Sequence, residues 1–372
     1  RIDLRTNAVE PWAVLDAGRD PHALRNAFDL AAASAVGRVG LGDLELSESG
    51  DQLFAVNLHD RLIYRLSVPD GRLLGAFPHG ATGLPWSADA VPFALAVRGG
   101  WLYHGVVDVG REAPDEPAPA ARPAAIYVYR SRSDGREMTE VTRLALDHGR
   151  TPAWQTWRQA VPEGTTRPEP ILSDIEFRLD GDLVLGIRDR AGDARILTAG
   201  HGDMVLTMRV DVGGSGERFI PLTEPEVYQD NLRHAESSWG GLAALPWLDE
   251  TVSTVIDPVD IYSGGAAWFD NVGGGAVRLE EVYAGANQTF GKASGLGDVE
   301  ALCAALTPTP SSTPSATPSA PRRSGGRPWR SSPTTPRPPP TSRWSTGGPA
   351  GSPTSSSAIG SRRCGRATDR PG

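Results

Sequence analysis

Short apolar runs separated by turn residues dominate the chain up to about residue 305. "DQLFAVNL" (51–58) and "RLIYRLSV" (61–68) are rich in residues that favour β-strands, and only two or three turn residues separate them. With "GDLELS" before them and "RLLGAF" after them, the pattern predicts four consecutive antiparallel strands. A four-stranded meander of this size is typical of one blade of a β-propeller.

The same order of strands recurs along the chain. We predict an all-β fold: a β-propeller of about five to seven four-stranded antiparallel blades, incomplete at its N-terminus, over residues 1–305. The best helical candidate, residues 21–36, is too isolated to indicate an α/β fold. The predicted blades lie near 1–16 (partial), 40–78, 92–147, 171–223 and 240–285, with a closing strand at 295–303.

The composition changes abruptly after residue 305. "TPTPSSTPSATPSAP" (307–321) is a Thr/Pro/Ser-rich linker, and the residues after it are rich in Arg, Pro and Ser without apolar periodicity. Such segments contain too few apolar side chains to pack a core, so we predict that residues 306–372 are disordered. Translation out of frame beyond the linker would explain the tail's composition.

The charge is divided unevenly between these two parts. The whole chain has 37 basic and 45 acidic residues, and the ten Arg and single Asp369 of residues 307–372 leave 27 basic and 44 acidic residues before them. The predicted propeller is therefore strongly acidic, which disfavours nucleic acid as a partner because phosphate binding needs a positive surface. No run of about 18 apolar residues occurs, so the sequence predicts no membrane span.

A short acidic motif recurs three times, in "GLGDLE", "LSDIE" and "GLGDVE". Residues i and i+2 of a strand share a face, so each motif presents two carboxylates together. If these strands converge on a central channel, the carboxylates could bind a hard cation such as Ca²⁺, and their repulsion would raise some pKa values. The candidate metal ligands are Asp43, Glu45, Asp174, Glu176, Asp298 and Glu300.

The same motif has a structural interpretation, which we prefer. An Asp after a small residue commonly accepts hydrogen bonds from backbone N–H groups in a turn. An Asp repeated at equivalent blade positions is also explained by hydrogen bonds from one blade to the next. The question is whether the three pairs share an ion or each bind the neighbouring backbone.

Other chemical motifs are weaker. His59 and Asp60 in "VNLHDR" lie between two strands and are predicted to form a hairpin turn and not a catalytic dyad. The chain has no GxSxG or HExxH motif, and Cys303 and Cys364 form neither a metal site nor a disulfide framework. We therefore predict no catalytic and no cofactor-binding residues.

Four stretches resemble a known group of proteins: "VGLGDLELSESGDQLFAVNLHDRLIYRL", "LSDIEFRLDGDLVLGIRDR", "VSTVIDPVDIYSGGAAWFDN" and "FGKASGLGDVEALC". They are similar to the propeller-like region of bacterial secreted and cell-surface adhesin-type proteins that carry Ser-Asp-repeat B-type domains. The resemblance implies an extracellular or cell-surface location. It supplies no catalytic residues.

Two functions follow from these observations. The first is a non-enzymatic interaction or adhesion module with an extracellular protein or carbohydrate ligand and no cofactor. The alternative is a Ca²⁺-dependent, gluconolactonase-like hydrolase, in which Glu45, Asp174 or Glu300 would hold the cation at the central channel.

Overall fold

A computed structural model gives the fold of the chain. It describes residues 1–3, 5–21, 30–111, 122–147, 149–158, 167–193, 203–211, 216–222, 227–233, 236–245, 248–260, 263–284 and 298–300. These residues all belong to one compact unit.

The regular secondary structure of the described residues consists almost entirely of β-strands. A short hairpin of β1 (Ile2–Asp3) and β2 (Ala8–Val9) begins the chain. The helical elements are two 3₁₀ helices, Leu30–Ala35 and Ser87–Asp89, and one short α-helix, Arg190–Asp193. The predicted helical candidate is therefore a 3₁₀ helix over its last residues, and its residues 22–29 lie outside the described ranges.

Sixteen strands form four antiparallel sheets of four, which we call blades 1 to 4 in chain order. Within each blade, strands that follow each other in the chain are paired. Blade 1 comprises β3 (Leu41–Leu46), β4 (Gln52–Asn57), β5 (Leu62–Ser67) and β6 (Leu73–Pro78). Blade 2 comprises β7 (Ala90–Arg98), β8 (Trp101–Asp108), β9 (Ala125–Ser131) and β10 (Thr139–Ala145). Blade 3 comprises β11 (Pro170–Phe177), β12 (Leu183–Asp189), β13 (Asp203–Asp211) and β14 (Glu217–Pro221). Blade 4 comprises β15 (Ser238–Leu245), β16 (Glu250–Ile256), β17 (Ser263–Asp270) and β18 (Ala276–Ala284).

Local turn chemistry joins the strands. In the turn between β4 and β5, the Asp60 carboxylate accepts a hydrogen bond from the Leu62 N–H at 3.0 Å, and Arg61 has a left-handed backbone. Between β11 and β12, the Asp180 carboxylate accepts one from the Asp182 N–H at 3.0 Å. Such side-chain bonds replace the ladder bonds that the backbone loses in a tight turn.

The hydrophobic core lies between the blades. One cluster joins Phe54 and Ile63 of blade 1 to Leu95 of blade 2, and another joins Val184 of blade 3 to Leu242 of blade 4. A third, larger cluster joins blades 2 and 3. The first strands lie next to one another, with β7 against both β3 and β11, and β11 against β15. Sheets stacked face to face with their first strands adjacent are the architecture of a β-propeller, which confirms the predicted fold class.

Two glycines let neighbouring blades approach closely. A Cβ at Gly105 in β8 would lie 2.3 Å from Leu172 Cδ2, and one at Gly186 in β12 would lie 2.2 Å from the Gly240 carbonyl oxygen. Both distances are far below van der Waals contact, so only glycine fits at these positions with the observed spacing of the blades.

Some predictions concern residues outside the described ranges. The disordered tail, the domain boundary at 305 and most of the closing strand fall there, and they stay predictions, as does a blade count above four. Of the closing strand, residues 298–300 are described and are not paired in a sheet. Within the described residues, no helix is long and apolar enough to cross a membrane.

Candidate functional site

Asp43 and Asp174 occupy equivalent positions in the first strands of blades 1 and 3. Each lies beside a β-bulge, where the pairing of β3 with β4 shifts between Leu41 and Leu44 and that of β11 with β12 shifts at Asp174. A bulge interrupts the regular ladder and redirects a side chain. At both positions, the carboxylate turns toward the first strand of the next blade.

Both oxygens of each carboxylate accept backbone hydrogen bonds. Asp43 Oδ1 accepts from the Leu44 N–H at 2.6 Å, and its Oδ2 accepts from the Leu95 N–H of blade 2 at 2.7 Å. Asp174 repeats this arrangement in blade 3. Its Oδ1 accepts from the next residue's N–H at 2.7 Å, and its Oδ2 from the Leu242 N–H of blade 4 at 2.6 Å. Each Asp therefore links its own blade to the following one.

The glutamates extend the same contact. Glu45 Oε1 accepts a hydrogen bond from the Val97 N–H of blade 2 at 3.1 Å, two residues beyond the N–H that Asp43 binds. Glu45 and Glu176 are both buried. The i, i+2 spacing of the motif thus matches the i, i+2 spacing of N–H groups on the adjacent strand.

Asp298 resembles the other two aspartates. Its Oδ1 accepts from the following residue's N–H, Val299, at 2.7 Å. A Cβ on Gly241 would lie 2.8 Å from the Asp298 Cα, so Asp298 packs against the first strand of blade 4. Glu300 is exposed.

The three aspartates are close enough to perturb one another. Burial raises the pKa of the Asp43 carboxyl well above its usual value, and the Asp298 and Glu45 charges raise it further. Burial also raises the pKa of Asp174, as do Asp298, Asp43 and Glu176. Asp298 is exposed as a residue, but protein atoms surround its carboxyl group, and this burial raises its pKa too. Hydrogen bonds from Val299 and Asp174 lower that pKa and offset part of the rise. The cluster therefore favours bound protons.

Small residues replace the carboxylates on the intervening blades. Counting back one residue from the N–H groups that donate these bonds places Ala94 and Ala96 of blade 2 at the positions of Asp43 and Glu45. The same comparison places Gly241 and Ala243 of blade 4 at those positions. Acidic pairs thus alternate with small residues, which leaves room for each carboxylate to reach across.

The structure brings three of the six predicted metal ligands together, Asp43, Asp174 and Asp298. Their hydrogen bonds to N–H groups agree with the structural interpretation of the motif. In the described part of the chain, no group of three or more His, Cys, Asp or Glu side chains has the arrangement of a metal site. The calcium site stays a prediction.

The sequence reasoning missed a buried ion pair in blade 3, between the residue before β11 and the residue after β12. The Arg190 guanidinium donates to the Glu169 carboxylate, and neither side chain is exposed. Arg190 Nε also donates to the Val36 carbonyl at 3.0 Å, and its guanidinium lies 4.5 Å from the centre of the Trp157 ring. Since the two charged residues are 21 residues apart, no short sequence motif indicates this pair.

A cavity of about 200 Å³ between blades 1 and 2 was also missed. Its polar wall includes Arg38, His59 and Arg61, and its apolar wall includes Leu58 and Val109. His59 does lie in the hairpin turn between β4 and β5, as predicted. The sequence of the turn does not indicate that the His59 side chain lines a cavity.

Comparison with known proteins gives distant relatives. The chain is 27% identical to colossin-A of Dictyostelium discoideum over 255 residues, which are 57% of this chain and 2% of colossin-A. It is 24% identical to colossin-D of the same organism over 314 residues, which are 72% of this chain and 32% of colossin-D. The chain thus spans a third or less of these relatives. No protein-family profile matches it.

Solved structures with a similar arrangement are more distant still. A calcium-binding protein, regucalcin, from Agrobacterium tumefaciens matches with a TM-score of 0.30 at 12% identity over 65% of this chain and 58% of that one. The WD40 domain of SCAP from fission yeast matches with a TM-score of 0.28 at 10% identity over 65% of this chain and 45% of that one. Likeness at this level carries no inference about activity.

Proposed function

We propose that this chain is a non-enzymatic β-propeller that serves as an interaction or adhesion module. One observation carries the proposal: both oxygens of Asp43 and of Asp174 are already bonded to backbone N–H groups, half of them on the next blade. Carboxylates used in this way hold the blades together. The function is then located on the surfaces that the blades present.

The electrostatics of the cluster are compatible with a structural role and with the cation site that the sequence left open. Burial and mutual repulsion raise the pKa values of Asp43 and Asp174, as they do in any buried group of carboxylates before a cation binds. The hydrogen bond between Asp174 and Asp298 is of the kind that a shared proton provides.

The alternative, a Ca²⁺-dependent hydrolase of the gluconolactonase type, has one observation in its favour. Asp43, Asp174 and Asp298 do converge, and three carboxylates could displace their N–H partners to coordinate a hard cation. In that state, the cation would polarise a lactone or ester carbonyl.

Thermal unfolding with and without calcium distinguishes the two functions. A ligand that binds only the folded state at a hundredfold excess over its Kd stabilises that state by about 2.7 kcal/mol. We expect the unfolding midpoint to be the same in excess Ca²⁺ and in chelator, and no hydrolysis of a sugar lactone. A calcium-dependent rise in the midpoint that Asp174→Asn abolishes, accompanied by lactone hydrolysis, would favour the hydrolase.

We also propose an extracellular or cell-surface location, with a protein or carbohydrate ligand. The Thr/Pro/Ser-rich linker and the resemblance to adhesin-type proteins support this location. Fractionation of cells that express the full natural protein tests it: recovery in the medium or at the cell surface is expected, and recovery in the cytosolic fraction alone contradicts it.

A further inference from the structure

The cavity between blades 1 and 2 has basic side chains in an otherwise acidic part of the chain. Arg38 and Arg61 lie on its wall together with His59. Asp89 also lines it, but the Asp89 carboxylate already accepts hydrogen bonds from Arg111 and Arg122 at 2.9 Å each. The positive charge of Arg38 and Arg61 is therefore not balanced by that carboxylate.

Two of these side chains, Arg38 and His59, belong to exposed residues and have no polar side-chain partner among the described residues. Within the described ranges, the Arg38 guanidinium makes no hydrogen bond or ion pair, and it lies 5.6 Å from the centre of the Trp157 ring. The His59 imidazole likewise makes no hydrogen bond among these residues. Its ring lies against Gly18, where a Cβ would be 2.9 Å from Nδ1, so the adjacent backbone restricts the ring.

Arg61 is held more firmly. Its Nη1 donates to the carbonyls of Ser87 and Ala88 at 3.3 and 2.9 Å, which fixes the guanidinium at the junction of the two blades. An arginine has five N–H donors, so donors remain after these two bonds. Arg61 is thus a positioned cation with donors to spare.

The rest of the wall is apolar. Leu58 and Val109 are buried core residues whose side chains line the cavity, together with Val91 and Pro92. A small pocket whose wall combines apolar side chains with a few polar groups is a common form of ligand site. Guanidinium groups recognise carboxylates in particular, because their planar donors match the two oxygens.

We propose that this cavity binds an organic anion with one carboxylate on a short, branched apolar body. The carboxylate lies between Arg38 and Arg61 near His59, and the apolar body packs against Leu58 and Val109. Either a free short-chain acid or the C-terminal residue of a peptide offers this chemistry. The inference names a ligand class for the interaction module and so rests on that proposed function.

Titration of the full chain by ligand-observed NMR tests the pocket. The probes are isobutyrate and its neutral analogue isobutyramide, and a short peptide ending in Val with either a free or an amidated C-terminus. We expect the carboxylate of each pair to bind at least about tenfold more tightly than the amide, since a charge-assisted hydrogen bond contributes at least that factor. A preference within one pair alone identifies the source of the ligand.

Matched variants locate the binding. Arg38→Gln removes a side chain that forms no hydrogen bond within the described fold, so it should fold normally and weaken carboxylate binding about tenfold or more. Arg72→Gln changes an exposed arginine of blade 1 that pairs with Asp70, and it should leave binding unchanged.

Three results would overturn the proposal that this cavity binds a carboxylate: equal binding of acid and amide, an unchanged Kd in Arg38→Gln, or no saturable binding of either carboxylate. The comparison of acid with amide uses the unmodified protein, so it stands even if a variant fails to fold. If carboxylate binding is absent, the calcium experiment still tests the proposed function by itself. If the protein binds carboxylates but also shows calcium-dependent hydrolysis, the pocket stands and only the non-enzymatic function is overturned.

Discussion

Replacing Asp174 with Ala tests whether the repeated carboxylates hold the blades together. The substitution removes the acceptor for two buried N–H groups, Ile175 in the same strand and Leu242 in blade 4. Asp174 itself is 7% exposed, so water does not easily replace the lost carboxylate. The contact between blades 3 and 4 should weaken.

The magnitude follows from these two bonds. Leaving a buried donor unsatisfied costs about 1–3 kcal/mol, which gives about 2–6 kcal/mol for two. Removing one carboxyl also relieves its repulsion with Asp43 and Asp298, which offsets part of this cost. We expect Asp174→Ala to lower the free energy of unfolding by about 2–4 kcal/mol.

Urea-induced unfolding at pH 7 measures this difference. Asp70→Ala, in an exposed turn of blade 1, is the matched control and should change stability by less than about 1 kcal/mol. Asp174→Asn keeps one acceptor oxygen and should lie between the two. A loss of less than about 0.5 kcal/mol in Asp174→Ala would refute the structural role.

The pH dependence of Asp174→Asn gives a second check on the same residue. The pKa of Asp174 is raised on folding, so the folded state binds its proton more tightly than the unfolded state. The protonated carboxyl therefore contributes stability that is present at low pH and is lost as the pH rises through the folded-state pKa. Relative to Asp174→Asn, the wild-type protein should become more stable as the pH falls from 7 to 4.5.

Three further predictions concern other contacts between elements. Gly186→Ala should destabilise by about 1–3 kcal/mol because its Cβ would meet backbone, whereas Gly75→Ala, with no atom within 4 Å of its Cβ, should be nearly neutral in the same urea experiment. Glu169→Gln should cost about 3–5 kcal/mol because it leaves the Arg190 charge buried without its partner, and a loss below 1 kcal/mol would contradict the ion pair's role. Burial lowers the pKa of His104 to about 3, so the folded state keeps this side chain neutral while the unfolded chain takes up a proton below about pH 6.5. The free energy of unfolding should therefore fall by about 2 kcal/mol between pH 7 and 5. The same fall in His104→Gln would contradict this assignment.

The fold was predictable because its signals are local. Alternating strand formers and turn residues, as in β4 and β5, depend on near neighbours in the chain and repeat with each blade. Even the equivalence of "GLGDLE" and "LSDIE" was visible, because each marks the first strand of a blade. Such patterns indicate strands and their order without any knowledge of contacts between blades.

The role of each residue at the site was harder to predict because it depends on distant parts of the chain. The Asp174 carboxylate binds an N–H group 68 residues away, and Arg190 binds a carbonyl 154 residues away. The sequence left a cation site and backbone bonding open for Asp174, since both need the same carboxylate. His59 looked like an ordinary turn residue, because only the packing of blade 1 on blade 2 creates the cavity that it lines.

Amide hydrogen exchange at Leu95 and Leu242 tests the central claim most directly. These are the two N–H groups of neighbouring blades that Asp43 and Asp174 bind. We predict that both amides are protected equally in excess Ca²⁺ and in chelator, and that Asp174→Ala accelerates exchange at Leu242 more than at Leu95. Protection that changes on adding Ca²⁺, or that survives Asp174→Ala at Leu242, would contradict the account.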